Sequence, residues 1–209
     1  MYKIRPASMR DVEGIAQIHV NCWTECYPYL PKGLHKLRGV EHRRMHWRKR
    51  IADHNDGIVL ALEIDGEVKG FSYTMRNNDP DMPLAEAELH ACYFLPEARR
   101  SSAGPQMMIE MIDHAHKFGW ESICVWAWVK NPVRRTYAAL GLEPLVHRER
   151  VIGKFSAKEV GYLCLDLGKL SEKLEANAIL IERRGGASRS LQFRPARLRP
   201  IEIRNGIDR

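Results

Sequence analysis

No run of apolar residues in this chain is long enough to cross a bilayer. The opening Met1-Tyr2-Lys3-Ile4-Arg5 has no apolar core of the kind that marks a secretory signal. Cysteine is scarce and odd in number: the five residues are scattered within apolar segments, which argues against a disulfide framework and for buried free thiols in a reducing compartment. The expectation is a cytoplasmic protein with no membrane partner. Histidines do not gather at metal-ligand spacing: His42 and His46 lie near His35, and His114 and His116 stand apart from them, so no metal is expected. Cys22 and Cys26 read as thiols on one helix face. No internal repeat is present, and the C-terminal stretch has no aromatic-rich RNA-binding signature, Phe193 being its one aromatic.

What the chain does have is enough apolar mass for a core. Its 209 residues are 44% hydrophobic and include five Trp, which suits one compact domain plus an extension, or at most two small domains. The net charge of +7 is unevenly placed. Residues 182–209 carry eight Arg against Glu182, Glu202 and Asp208, a net of +5, so the rest of the chain is close to neutral. That tail is either a phosphate-binding segment acting by charge or a poorly folded extension.

Periodicity supplies the elements. Tyr2 to Pro6 reads as a strand, and Ser8-Met9-Arg10-Asp11 as a capping box. Val12, Ile15, Ala16, His19, Cys22, Trp23 and Cys26 then recur at helical spacing. A basic helix follows over about 39–53, whose Arg43, Arg44, Arg48, Lys49 and Arg50 form a solvated face or greet an acidic or RNA-bound acceptor. Asp65-Gly66 between two apolar runs signals a hairpin. Strands are expected at about 85–95, 122–129, 144–152 and 159–167. A helix with the stripe Met108, Met111, Ile112 and Ala115 sits between the first two, and a short one over about 131–141 follows the second. This gives an α/β chain of α+β type, with an antiparallel meander and one crossover helix. Leu170 to Ile181 reads as a further amphipathic helix.

The most informative stretch is Arg99-Arg100-Ser101-Ser102-Ala103-Gly104-Pro105, small residues between an apolar strand and a helix. Unpaired N–H groups and the helix dipole at such a junction favour an anion, and small side chains let a diphosphate approach the main chain. Asn131-Pro132-Val133-Arg134-Arg135-Thr136-Tyr137, followed by Leu140-Gly141-Leu142, is a second cluster after a strand. With Glu88 to Glu97 as the strand entering the loop, and Trp23 to Pro31 after the first helix, these motifs over about residues 2–167 resemble the GCN5-related N-acetyltransferase (GNAT) superfamily. The resemblance implies a mixed, mostly antiparallel twisted sheet flanked by helices that splays near its middle around an acyl-carrier ligand. It implies an acetyltransferase domain over 1–168, with 169–209 an extension of unknown role. Two departures stand out: Ser102 where the family usually has glycine, which would be costly at a positive φ, and Pro105, which offers no N–H.

Acetyl transfer to an amine requires loss of an amine proton, stabilisation of an oxyanion and protonation of the leaving thiolate. The resemblance assigns these tasks. Glu88 is the base through ordered water, with Glu86 as substitute, and Tyr137 is the acid. Phe94 pairs its backbone with the pantetheine arm, while Arg99, Arg100, Ser101, Ser102, Ala103, Gly104 and Asn131 hold acetyl-CoA. Trp23, Tyr27 and Tyr29 border the acceptor, a small-molecule or protein amine. The alternatives are a non-catalytic acyl-CoA-binding module and a nucleic-acid-associated protein acting through its basic tail. The acceptor and the oligomeric state lie beyond what spacing specifies.

Overall fold

The computed structural model describes residues 2–53 and 56–184. The tail expected to form an Arg-rich extension lies, from residue 185 onward, outside the described residues. The chain runs β1 (Tyr2–Pro6), a 3-10 turn (Met9–Asp11), α1 (Val12–Cys26), α2 (Lys32–Leu37), α3 (Val40–Ala52), β2 (Gly57–Ile64), β3 (Glu67–Arg76), β4 (Ala87–Phe94), a 3-10 turn (Pro96–Ala98), α4 (Ala103–Lys117), β5 (Ile123–Trp128), α5 (Arg134–Leu140), β6 (Glu143–Ile152), β7 (Phe155–Cys164) and α6 (Leu167–Arg183). The described strands form one seven-stranded sheet in the order β1-β2-β3-β4-β5-β7-β6. Every pairing is antiparallel except β4 with β5, as a crossover through α4 requires. This is the mixed, mostly antiparallel sheet flanked by helices that the sequence leads one to expect.

The sheet is covered on both faces because its central strands are apolar at successive positions. In β2, Leu60 and Leu62 join a cluster with Met107, Met111, Ile112 and Ala115 of α4. Val59 and Ala61 join Ile15, Ile18 and Trp47 of α1 and α3 on the other side. The β2–β3 turn places Asp65 at φ 51° and Gly66 at φ 84°, the twisted two-residue hairpin that Asp-Gly favours. Leu167, Leu170, Leu174 and Ala178 of α6 are buried in the same cluster as α4.

Two features of β4 shape the site. Its pairing with β5 is confined to Ala87–Ile123 and Glu88–Cys124, so the two strands part after Glu88. On the β3 side, Tyr73 faces Ala91 and Thr74 faces Leu89, which leaves His90 as the extra residue of a bulge. A bulge bends its strand and re-aims a side chain, and such bulges are frequent beside active sites.

Candidate active site

The split between β4 and β5 opens into a chamber on each face of the sheet. On the α4 face lies an apolar cleft of about 390 Å³, whose wall includes Phe94, Gly104, Met108, Tyr137 and Leu174. On the α1 and α3 face lies a smaller, more polar cavity of about 130 Å³, whose wall includes Trp23, Tyr27, Arg43, Glu88 and His90. Leu89, the first residue beyond the last β4–β5 pair, lines both.

The loop into α4 is ordered by its own side chains. The Ser101 hydroxyl donates to the Ala98 carbonyl at 2.9 Å and accepts from the Ala103 N–H at 3.3 Å. Ser102 has φ −65° and ψ −12°, so it needs no glycine-like conformation, and its hydroxyl meets that of Tyr2 at 3.1 Å. The positive φ falls instead on Arg100, at 60°. Ala103 is fully buried. Gly104 lines the cleft, and a Cβ added there would meet nothing within 4 Å. The fold therefore does not require glycine at 104; the missing side chain leaves room for something in the cleft. Pro105 falls in the first turn of α4, where an N–H would have no intrahelical partner in any case.

Arg99 is turned away from the cleft. Its Nη atoms hold the Glu25 carboxylate at 2.5 and 2.6 Å, and its Nε donates to the Phe94 carbonyl at 2.8 Å. The Cys22 thiol also donates to that carbonyl, at 3.4 Å. Because the Leu95 N–H donates to Lys69 across β3, the peptide groups of Phe94 point into the split. With its carbonyl taken, Phe94 has its N–H left to offer.

Asn131 stands ahead of α5, whose cap is Val133. Its Oδ1 accepts from the Val133 N–H at 3.0 Å, and its Nδ2 donates to the Tyr27 hydroxyl at 2.7 Å, tying α5 to the segment after α1. Tyr137 packs its ring 5.7 Å from that of Tyr162, and burial raises its phenol above the ordinary range, so it carries its proton at neutral pH. Glu88 Oε1 lies 2.8 Å from His90 Nδ1. Glu86 is occupied elsewhere: its Oε2 accepts from the Glu121 N–H at 2.6 Å. Trp23 and Tyr27 meet edge to face at 4.9 Å in the wall of the polar cavity. Tyr29 is 38% exposed under the Lys130 ammonium and does not line that cavity.

Residues 13–142 match the model of the acetyltransferase (GNAT) family. The chain belongs to that family. This GNAT chain is an acyltransferase, and an uncharacterized N-acetyltransferase, YuaI, of Bacillus subtilis is 26% identical to it over 176 residues, covering 83% of this chain and 99% of that protein. Among solved structures, the PaiA N-acetyltransferase of Thermoplasma acidophilum, in complex with coenzyme A, superposes with a TM-score of 0.59 at 17% identity over 76% of this chain and 98% of that one. YncA of Salmonella typhimurium, a putative acetyltransferase with acetyl-CoA, gives 0.57 at 15% identity over 79% and 94%. At those identities the likeness is one of fold.

Several site residues of this GNAT chain escape sequence reading. His90 follows Glu88 by two residues on the same face of β4, and its Nδ1 meets Glu88 Oε1 at 2.8 Å. Arg43 reads as one more solvated arginine of a basic helix, yet it is only 5% exposed and faces the polar cavity. A signal existed: Arg43 stands four residues before buried Trp47, on the same helix face. Leu174, Asn177, Leu180, Ile181 and Arg184 of the C-terminal segment also line the apolar cleft, outside the motifs that carry the resemblance.

Proposed function

We propose that the chain moves an acetyl group from acetyl-CoA to a primary amine by direct transfer. The observation that carries this is the meeting of two chambers at Leu89, just past the point where β4 and β5 separate. The apolar cleft suits an extended, uncharged pantetheine arm. Its mouth begins at Gly104, whose N–H, with the dipole of the 15-residue α4, favours a diphosphate. The Phe94 N–H is the group available to pair with the arm and to polarise the thioester carbonyl. Arg99 acts on that carbonyl indirectly, by fixing the Phe94 peptide.

The amine enters from the polar cavity. A carboxylate is a weaker base than an alkylamine by about six pKa units, so the ammonium first gives one proton to solvent to free its lone pair, and the second leaves the nitrogen as the C–N bond forms. Glu88 and His90 form the acceptor for that proton, directly or through water. Collapse of the tetrahedral intermediate breaks the C–S bond, and the Tyr137 phenol supplies a proton to the thiolate. Asn131 holds the start of α5 and, through Tyr27, couples the two chambers.

Thiol release from acetyl-CoA across a panel of amines tests this reading. Glu88→Gln and Tyr137→Phe should each lower kcat by about 100-fold, within the range for loss of one general acid or base, with acetyl-CoA affinity retained. Unchanged turnover in both variants would refute the assignment of these roles. Binding of acetyl-CoA without turnover of any amine would reduce the protein to a carrier of the thioester.

A further inference from the structure

The polar cavity holds more positive charge than its walls neutralise. Arg38, Arg43 and Arg150 line it, with Glu88 and Glu159. Glu159 is held at 2.8 Å by Arg148 Nε, and Arg150 lies 3.7 Å from it. Glu88 is engaged by His90. Arg38 contacts His42 Nε2 at 3.3 Å. Arg43 makes no ion pair with any described residue, and its Nε and one Nη, both buried, have no hydrogen-bond partner. Its guanidinium lies 4.9 Å from the centre of the Trp23 ring. That contact stabilises a cation by about 0.5–2 kcal/mol but leaves the N–H groups unanswered. Burial draws its pKa down to about 10, so it stays charged at neutral pH.

Unanswered N–H groups on a buried cation are costly. The next residue, Arg44, turns outward to Glu13 and Glu41. A planar guanidinium with two free donors matches a carboxylate or a phosphate, of which the carboxylate is the smaller. Glu88 and His90 provide the opposite requirement, a place for an amine, in the same cavity. Its volume of about 130 Å³, against about 390 Å³ for the apolar cleft, suits a small acceptor.

We infer that the acceptor is a small primary amine bearing a carboxylate, seated with its carboxylate on Arg43 and its amine towards Glu88 and His90. The inference rests on the acetyl-transfer reading above. In the reaction the ammonium first loses one proton to solvent, the free amine attacks the thioester, and the second nitrogen proton leaves as the N–C bond forms and is balanced by protonation of the thiolate as the C–S bond breaks, giving an N-acetylated amino acid and the free thiol of coenzyme A.

The test is thiol release by the full chain with matched acceptors: γ-aminobutyrate against butylamine, and alanine and lysine against their amides. Calorimetric binding of acetyl-CoA is measured alongside. At least one carboxylate-bearing acceptor should exceed its neutral partner in kcat/KM by tenfold or more. Arg43→Gln should raise KM for that acceptor by about 10- to 100-fold, the range for a lost charged hydrogen bond, and abolish the preference, with Arg43→Lys recovering part of it. Should Arg43→Gln fail to fold, the wild-type comparison decides alone. Equal or better turnover of the neutral partners, preference for phosphoethanolamine or a peptide amide, or no turnover of any carboxylate amine overturns the inference. Absence of acetyl-CoA binding would instead overturn the acetyl-transfer reading itself.

Discussion

At the scale of single residues, function and stability are set against each other at Gly104. A glycine inside a helix costs about 0.5–1 kcal/mol relative to alanine, and the fold gives no steric reason for it here. Gly104→Ala should therefore raise Tm while weakening acetyl-CoA binding; a variant that is both more stable and equally tight would show that the site lies elsewhere. The buried histidines make a separate prediction. Burial, aided by nearby His90, draws His46 down to about 4, and burial keeps His19 well below its ordinary value while its Nδ1 accepts from Trp47 at 3.2 Å. Unfolding lets both take up protons near pH 6.5. Their contribution is thus complete above about pH 6.5 and declines as the pH falls towards 4. Asp11 acts in a lower window: against the raising effect of burial, hydrogen bonds from Arg5 and Ser8 hold it at about 2, so its contribution is present above its ordinary pKa and is lost as the pH falls through 2. Melts at pH 7.5, 6 and 5 should show falling Tm, and His46→Gln should flatten the slope; a Tm constant through this range in the wild type would contradict the assignment.

At the scale of elements, α6 is the segment whose role sequence reading leaves open. Leu170 and Leu174 are both 2% exposed, but Leu174 also lines the apolar cleft. Replacing either with Ala should cost about 2–5 kcal/mol in chemical denaturation. Only Leu174→Ala should additionally weaken acetyl-CoA binding, measured at a temperature where both variants are folded; equal effects on binding would deny α6 a part in the cleft. Legibility differed by element for physical reasons. α1 and α4 announce themselves because their buried residues recur every three or four positions, and the β2–β3 hairpin because Asp-Gly supplies two positive φ values. α2 spans Lys32–Leu37, six residues with one buried side chain, too short for a period to register. α5 begins at Arg134 rather than Asn131, since the Asn131 side chain makes its own turn with Val133. β7 occupies Phe155–Cys164, ahead of the expected 159–167, because the turn at Gly153 carries it back along β6 earlier than the apolar run suggests.

At the scale of the whole molecule, the sequence motifs point to one side of the sheet and the chemistry uses both. The small-residue loop and the Asn131–Tyr137 segment are contiguous in the chain, so they can be read as strings. The polar cavity is assembled from α1, α3, β4, β5, β6 and β7, and Arg43 meets Glu88 in it only through folding. Spacing along the chain carries no information about such a meeting. Among the described residues no helix is long and apolar enough to cross a membrane. Everything proposed for the reaction depends on the thioester occupying the cleft beside Gly104. Isothermal titration of acetyl-CoA into the wild type and into Gly104→Glu tests that most directly, because the added side chain projects into open space and puts a negative charge where the diphosphate belongs. One saturable site in the wild type, lost or weakened at least tenfold in Gly104→Glu, is the predicted result; no binding to the wild type, or the same affinity in both proteins, would contradict it.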